Sequence, residues 1–582
     1  MKNIFSFTLM IFILSACAGT QEKLQAFGDS VISGTSKILP NRNKDNGKPE
    51  AAPLSAPIGE HAAMSMDSSY DKPIDYIPGA LGIYDWKIST TEPRAQEYFK
   101  QGIQLRWAYN VNESARSMAE ARRIDPNCAM CYWGEAFALG SFLNGHMTTE
   151  KGMRGRKAIL KAVELAEKDF YPHYFSNTTE MEKDLIMATL VRYPENWTTE
   201  IGNDKEKREP TYRAFSDNMA ELFSKYPGNH EIATVYAQSL FMLEERRGYR
   251  EYTPELIHLH GVLTGVLDEN IAHPGACHLY IHATESTSKP GDASACADQI
   301  SDAIPVASHI QHMPAHTYNR TGMWGKNVTT SIKASQSDIM AKSNKGFSYG
   351  TSHNLHMLLY GASWDGQGAV AIQAGKDYRK VTDMAPYETL TQIRFGRFDE
   401  VLQNKNTPKD KYSLALYKFA HGYASLKTGD IANAKDTEEY LFEAAQGDLG
   451  SLTFRGDYKS TLVEIVAYIL QGEIKMIEGD LDGAINSFKA SVAAEKTLGF
   501  SEPGPLPFSA HHWLGAALIE DGDYSQAEAV YRNELNKHPN NGWSLFGLKE
   551  SLAGQNIDDP KVNADFEDSW ARSNLFITSS RF

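Results

Sequence analysis

The stretch "QGEIKMIEGDLDGAINSFKAS", residues 471 to 491, decides the fold. Its apolar residues recur at helical rather than alternating spacing on both sides of Gly479-Asp480, which predicts two helices joined by a tight turn. Small residues stand at Gly472, Gly479 and Ala484, and an aromatic at Phe488. In "HWLGAALIEDGDYSQAEAVYRNELNKHP" (512–539) the same offsets carry Gly515, Gly522, Ala527 and Tyr531, with Pro539 eight positions further on. An earlier segment, "KFAHGYASLKTGDIANAKD" (418–436), supplies Gly422, Gly429 and Ala434, and "YFKQGIQLRWAYNVNESARSMAEARRIDP" (98–126) supplies Gly102, Met118, Ala121 and Pro126. Small residues at these anchors let two paired helices approach, the aromatic fills the gap to the next pair, and proline stops the second helix. A single pair cannot bury its apolar face alone, so neighbours must stack.

These anchors resemble the tetratricopeptide repeat, a helix-turn-helix unit of about 34 residues. The match is strongest over 415–555 and 95–127. The resemblance implies an all-α solenoid, a right-handed superhelix whose concave groove is lined by the first helix of each pair. Two polar stretches, "YPENWTTEIGNDKEKREP" (193–210) and "MAPYETLTQIRFGRFDEVLQNKNTPKDKY" (384–412), interrupt the pattern. They divide the chain into N-terminal helices (80–192), a His-rich middle (193–383) and a C-terminal array (384–582).

The N-terminus reads "MKNIFSFTLMIFILSACAGT", one Lys followed by an apolar run from Ile4 to Leu14 and then Leu-Ser-Ala-Cys. This pattern is a signal peptide over residues 1–17, too short for a permanent membrane span. "LSAC" resembles the bacterial lipobox, which implies lipidation of Cys17; the alternative is a plain secretory signal with a coincidental Cys. Residues 18–79, rich in Ser, Pro, Gly, Asn and charge, read as a flexible tether. The expectation is an exported cell-envelope lipoprotein on the periplasmic face of the outer membrane, held through its N-terminal lipid. A formal net charge of −15 leaves no basic surplus for nucleic acid.

Export places the other cysteines where disulfides persist. The simplest pairing is local, Cys128–Cys131 and Cys277–Cys296. Closing the longer loop adds roughly 3 kcal/mol on the chain-entropy account. No βαβ pattern surrounds the CxxC, so a thioredoxin-type reading has no support.

Eight of the 18 histidines fall within residues 273–356, about one-seventh of the chain. "CHLYIHATE" lacks internal Gly and Pro and predicts a helix beginning near Ala276, with His278 and His282 at i and i+4 and Glu285 a turn beyond. That spacing brings two imidazoles to one ion. In "HIQHMPAHTYNRTGMW" Pro314 suits a first helical turn, so His312 is expected just before the helix and His316 just inside it. "SHNLHMLLYGASWDGQGA" predicts the next helix, with His353 and His356 at i and i+3. His273 reads as a turn residue and His309 as a second-helix surface position.

If these segments are successive groove-facing helices roughly 10 Å apart, His278, His282, His312, His316, His353 and His356 form a set of six ligands for one or two ions. Copper, zinc or iron suits imidazole, whereas calcium and magnesium prefer oxygen. The competing reading is that these histidines only pack and hydrogen-bond within the repeats. Catalysis would further need an open coordination position and an acid or base, for which Glu285, Tyr318 and Glu135 are candidates. Arg320 reads either as a ligand for a substrate carboxylate or as the neutraliser of a buried acid.

The motifs "DPNCAMCYWGEAFALG" (125–140), "HPGACHLYIHATE" (273–285), "HMPAHTYNRTG" (312–322), "HNLHML" (353–358) and "NNGWSLFGL" (540–548) also resemble a group of bacterial exported repeat lipoproteins to which no secure activity is attached. Where that group carries Asn-His before Glu-Ala in the first repeat, this chain has Asn110, Val111, Asn112 and Glu113. Two function classes therefore compete: a metalloprotein, extending to a metalloenzyme, and a scaffold that holds a peptide or protein in its groove with neither metal nor catalysis. A pH-sensitive interface built on clustered imidazoles is a third. Serine or cysteine hydrolase motifs and phosphate-cradling or dinucleotide loops are absent.

Overall fold

The computed structural model describes residues 72–167, 177–244, 248–382, 386–447, 449 and 451–582. Cys17, the signal segment and residues 18–71 of the expected tether lie outside them. The described part is a run of α-helices with one two-residue strand pair, Thr453–Phe454 against Asp457–Tyr458. None of these helices is long and apolar enough to cross a membrane.

Helices follow one another as packed antiparallel pairs, each also meeting the next, which is the tetratricopeptide-like solenoid expected from the anchors. The first pair is α1 (Pro93–Trp107) and α2 (Val111–Ile124). Lys72–Gly79, expected as the end of the tether, is docked on this pair. Ile74 is buried, Tyr98 Oη donates to its carbonyl (3.1 Å), and Gln101 Oε1 accepts from Ile77 N (2.9 Å).

In the middle run α3 (Pro274–Thr284), α4 (Ser308–Thr321), α5 (Trp324–Ala341) and α6 (Thr351–Trp364), with α4 packed against both α3 and α6. The C-terminal pairs are α7 (Lys459–Glu478) with α8 (Leu481–Glu495), and α9 (His511–Asp521) with α10 (Tyr524–Lys537), followed by α11 (Gly542–Gly554). Here the anchors behave as their chemistry requires. Gly472 faces the Phe488 ring, and Gly515 and Gly547 both face the Tyr531 ring, so any Cβ would collide with an aromatic ring. Gly479 and Gly522 take φ of +81°, a left-handed cap that L-residues resist.

The polar segment 193–210 is not simply an insertion: Thr199–Asn203 is helical, and a longer helix, Lys205–Lys225, starts within it and carries Pro210 in its first turns. Segment 384–412 likewise holds two short helices, Pro386–Arg394 and Phe398–Gln403. Apolar side chains gather in two cores, one from Ile74 to Phe347 and one from Val328 to Ile577. Their ranges overlap between α4 and α6, two of the three helices that carry the histidines.

Candidate metal centre

On α3, His273 is the N-cap: its Nδ1 accepts from Ala276 N at 3.1 Å, the turn role expected of it. His278 and His282 follow on one face, both buried. α4 departs from expectation. It begins at Ser308, so Pro314 lies in its interior, where the ring removes the bond that would run to the Ile310 carbonyl. His309, His312 and His316 consequently share one helix at i, i+3 and i+7, a single face. His309, expected at the surface, is 1% exposed. From α6, His353 joins them.

Three groups of ligating atoms result: His278, His282 and His309; His312, His316 and His353; and His282, Glu285, His316 and Glu502, the atoms of each lying within 4.8 Å of one another. His278 Nε2 is 3.1 Å from His309 Nε2; His316 Nε2 is 3.1 Å from His312 Nε2 and 3.4 Å from His353 Nε2. The two triads adjoin, with ring centroids 4.6 Å apart for His309 and His312 and 5.1 Å for His282 and His316.

Three of the outer nitrogens are tied down. His278 Nδ1 donates to the Trp107 carbonyl (2.6 Å), and His282 and His316 Nδ1 donate to the two oxygens of Glu285 (2.7 and 2.6 Å). Glu502 Oε2 lies 2.9 Å from the same His316 nitrogen. An acceptor at Nδ1 makes it the protonated nitrogen, so in the neutral ring Nε2 presents its lone pair inward, the orientation a metal ligand needs. Burial opposes a charge on His316, but Glu285 and Glu502 outweigh it and push the imidazole up to about 10. Glu502 stays below the usual carboxylate range: burial and Glu285 raise it, and His316 and His282 reverse that. The turn between α1 and α2 closes the centre from the other side, where the Tyr109 ring stacks on His309 at 4.9 Å.

The remaining candidates separate. His356 is turned away from the cluster and packs on Tyr387 (4.5 Å) and Tyr378 (5.8 Å), with its basicity pushed well down by burial. Tyr318 Oη donates to Asp298 (2.8 Å), and Glu135 pairs with Arg122 (2.5 Å); neither belongs to the His groups. Arg320 Nε donates to the Glu285 carbonyl (3.0 Å), beside the centre. Both local cysteine pairs are disulfides; the second ties α3 to the helix Ser294–Ile300.

Sequence reasoning missed His309 and Glu502. His309 was recoverable from its i, i+3, i+7 register with His312 and His316 once Pro314 is allowed inside the helix. Glu502 sits in the Pro/Gly-rich connection between α8 and α9, whose length in an array of short turns is the only hint. Arg455 donates to its carbonyl (2.9 Å) and Tyr387 to that of Pro505 (2.8 Å), which hold the connection over the histidines. There a cleft of about 750 Å³, solvent at its mouth included, opens onto Glu285, His316 and Glu502.

No protein-family model matches this chain, and no curated protein does. Among solved structures it is similar to yeast Tom70, at 12% identity over 82% of this chain and 93% of that chain, TM-score 0.24. It is also similar to the APC/C hetero-tetramer Cut9-Hcn1, at 12% identity over 82% and 90%, TM-score 0.26. A human IFIT1 dimer with m7Gppp-AAAA matches at 12% identity over 83% and 90%, TM-score 0.28. At such values these likenesses say nothing about function, and the helix-pair architecture stands on the packing described above.

Proposed function

We propose that this chain is a helical-repeat metalloprotein whose two histidine triads, His278/His282/His309 and His312/His316/His353, hold one or two transition-metal ions at the base of the cleft. One observation carries the reading: His316 Nε2 stands 3.1 and 3.4 Å from two other Nε2 atoms while its Nδ1 is committed to carboxylates. One nitrogen bears one proton or one lone pair, so a hydrogen bond satisfies one neighbour only. An ion bound tetrahedrally at about 2.0–2.1 Å would place its ligand nitrogens roughly 3.3–3.4 Å apart, close to what is seen. Glu285, bridging His282 and His316, orients both triads as an outer partner. The all-imidazole set suits copper, zinc or iron.

The lipobox-like "LSAC" and the two disulfides support placement in the cell envelope. The opening of the centre onto a cleft is what a metalloenzyme needs, with Glu285 and Glu502 as the groups at hand for proton transfer.

The test is elemental analysis of the full chain, purified without a His tag under metal-replete conditions, beside His278→Ala/His282→Ala and His312→Ala/His316→Ala variants. One or two ions per chain, lost triad by triad, is expected. Sub-stoichiometric metal in the parent protein, or full metal in both variants, overturns the proposal.

A further inference from the structure

The cleft beside the centre has walls as well as a floor, and their charges are unevenly matched. Each of its carboxylates already has a partner. Glu285 holds His282 and His316; Glu502 holds His316; Glu495 accepts from Ser509 Oγ (2.9 Å) and Ala510 N (3.2 Å) and faces His511 Nδ1 (3.0 Å). Two cations, Arg320 and Lys537, also line the cleft, both half-buried. Among the described residues neither forms an ion pair with a carboxylate, although, against the burial that raises it, His511 and after it the Lys537 charge hold Glu495 below the usual carboxylate range.

Arg320 is nonetheless held still. Its Nε is spent on the Glu285 carbonyl, and its guanidinium lies 5.3 Å from the Tyr249 ring centroid and 5.8 Å from that of Phe500. Fixing a guanidinium by one edge and by aromatic contact leaves its terminal N–H groups as a pre-oriented fork, the geometry that receives an oxyanion by two parallel hydrogen bonds. Aromatic rings also line the cleft: Tyr249 is exposed and Phe500 half-buried, both beside Arg320, with Tyr360, Trp364 and Phe508 buried behind the surface.

We infer that the cleft binds a small molecule carrying an oxyanion group, carboxylate or phosphate, on a flat apolar body, with Arg320 and Lys537 receiving the anion and the aromatic wall receiving the body. This rests on the proposed metal centre only for what happens to the ligand afterwards. The binding itself uses no metal ligand.

Calorimetric titration of the full chain, metal-loaded and chelator-stripped, with benzoate, phenyl phosphate, inorganic phosphate and benzyl alcohol tests it. Saturable binding of benzoate or phenyl phosphate at one site is expected, and whichever binds more tightly assigns the anion. Arg320→Met and Lys537→Met should each weaken that binding at least ~10-fold, the loss of a charge-assisted contact, while retaining the parent's helical content and metal. Benzyl alcohol should not bind, and inorganic phosphate should bind more weakly than phenyl phosphate. Absence of binding by both aryl anions, equal binding of benzyl alcohol, or variants that bind as the parent does would overturn the inference. Anion binding by a protein that takes up no metal would defeat the reading of the centre and leave this one standing; metal uptake without anion binding would do the reverse.

Discussion

Two buried clusters of histidine and carboxylate face the same cleft, and they are built on opposite rules. In the C-terminal cluster the ring nitrogens of His512 and His538 each meet an oxygen or a guanidinium. His538 lies between Glu534 Oε1 (2.5 Å) and Tyr360 Oη (3.0 Å). Arg394 donates to His512 Nδ1 (3.1 Å), so His512 Nε2 carries the proton and donates to Ser544 Oγ (3.1 Å), which donates to Glu534 Oε2 (2.7 Å). Asn541 adds a further donor to that oxygen (2.7 Å). The middle cluster instead turns nitrogen toward nitrogen, at 3.1 Å twice and 3.4 Å once. A cluster whose imidazoles meet oxygens closes its hydrogen bonds without an ion; one that turns imidazole nitrogens toward one another, with one nitrogen facing two others, satisfies only one neighbour per proton and has the geometry to take a cation.

The sharpest way to break that contrast is Glu534→Ala. Burial alone would raise this carboxyl, yet His538 and the other neighbouring histidines hold it well below the usual range. Removing it takes one partner each from His538, Ser544 and Asn541, and loss of one partner from a buried charged network costs about 3–5 kcal/mol. Urea denaturation of the metal-loaded chain should show that loss with metal content unchanged; a parallel loss of metal would mean that the two clusters are one unit. The counterpart in the middle is Glu285→Gln. It keeps size and removes the charge that orients His282 and His316, and an outer-shell change of this kind lowers metal affinity about 10–100-fold. Competition with a chelator of known affinity measures it, and an unchanged affinity would show that Glu285 does not orient the ligands.

The clusters also titrate differently. Burial first, then Arg394, pushes His512 down to about 3. Its folded value is below its unfolded one, near 6.5, so its contribution to stability is complete above pH ~6.5 and is lost as pH falls toward the folded value. By pH 5 the loss is about 2 kcal/mol. The urea midpoint should fall between pH 7 and pH 5, and less steeply in His512→Gln, whose side chain takes no proton. Equal slopes in the two proteins would remove His512 as the source.

What the sequence revealed divides along physical lines. The helix-pair anchors were legible because steric needs are local: a glycine opposite an aromatic recurs at fixed offsets, and Gly472–Phe488 and Gly515–Tyr531 meet as the offsets require. His278, His282 and Glu285 were legible for the same reason, lying within two turns of one helix. The start of α4 was misread because proline favours first turns and is here accommodated inside the helix, which hid His309. Glu502 left no local trace at all, since its place depends on how a long connection lies across helices far away in the chain.

His353 and His356 show the limit of spacing alone, and they yield the mildest prediction. Three residues along an α-helix leave two side chains about 60° apart, enough at the edge of a packed face to send them to different neighbours. His353 Nε2 reaches His316, whereas both nitrogens of His356 are buried without a hydrogen-bond partner among the described residues, against the rings of Tyr387 and Tyr378. An imidazole there is polar surface with nothing to bond, and a phenyl ring of similar shape removes that cost. His356→Phe should therefore change stability by less than about 1.5 kcal/mol, in the stabilising direction, and leave metal content intact. His353→Phe should lower the metal content. Thermal unfolding and elemental analysis of the two variants side by side decide it: loss of metal in His356→Phe would return that residue to the ligand set, and full metal in His353→Phe would remove α6 from it.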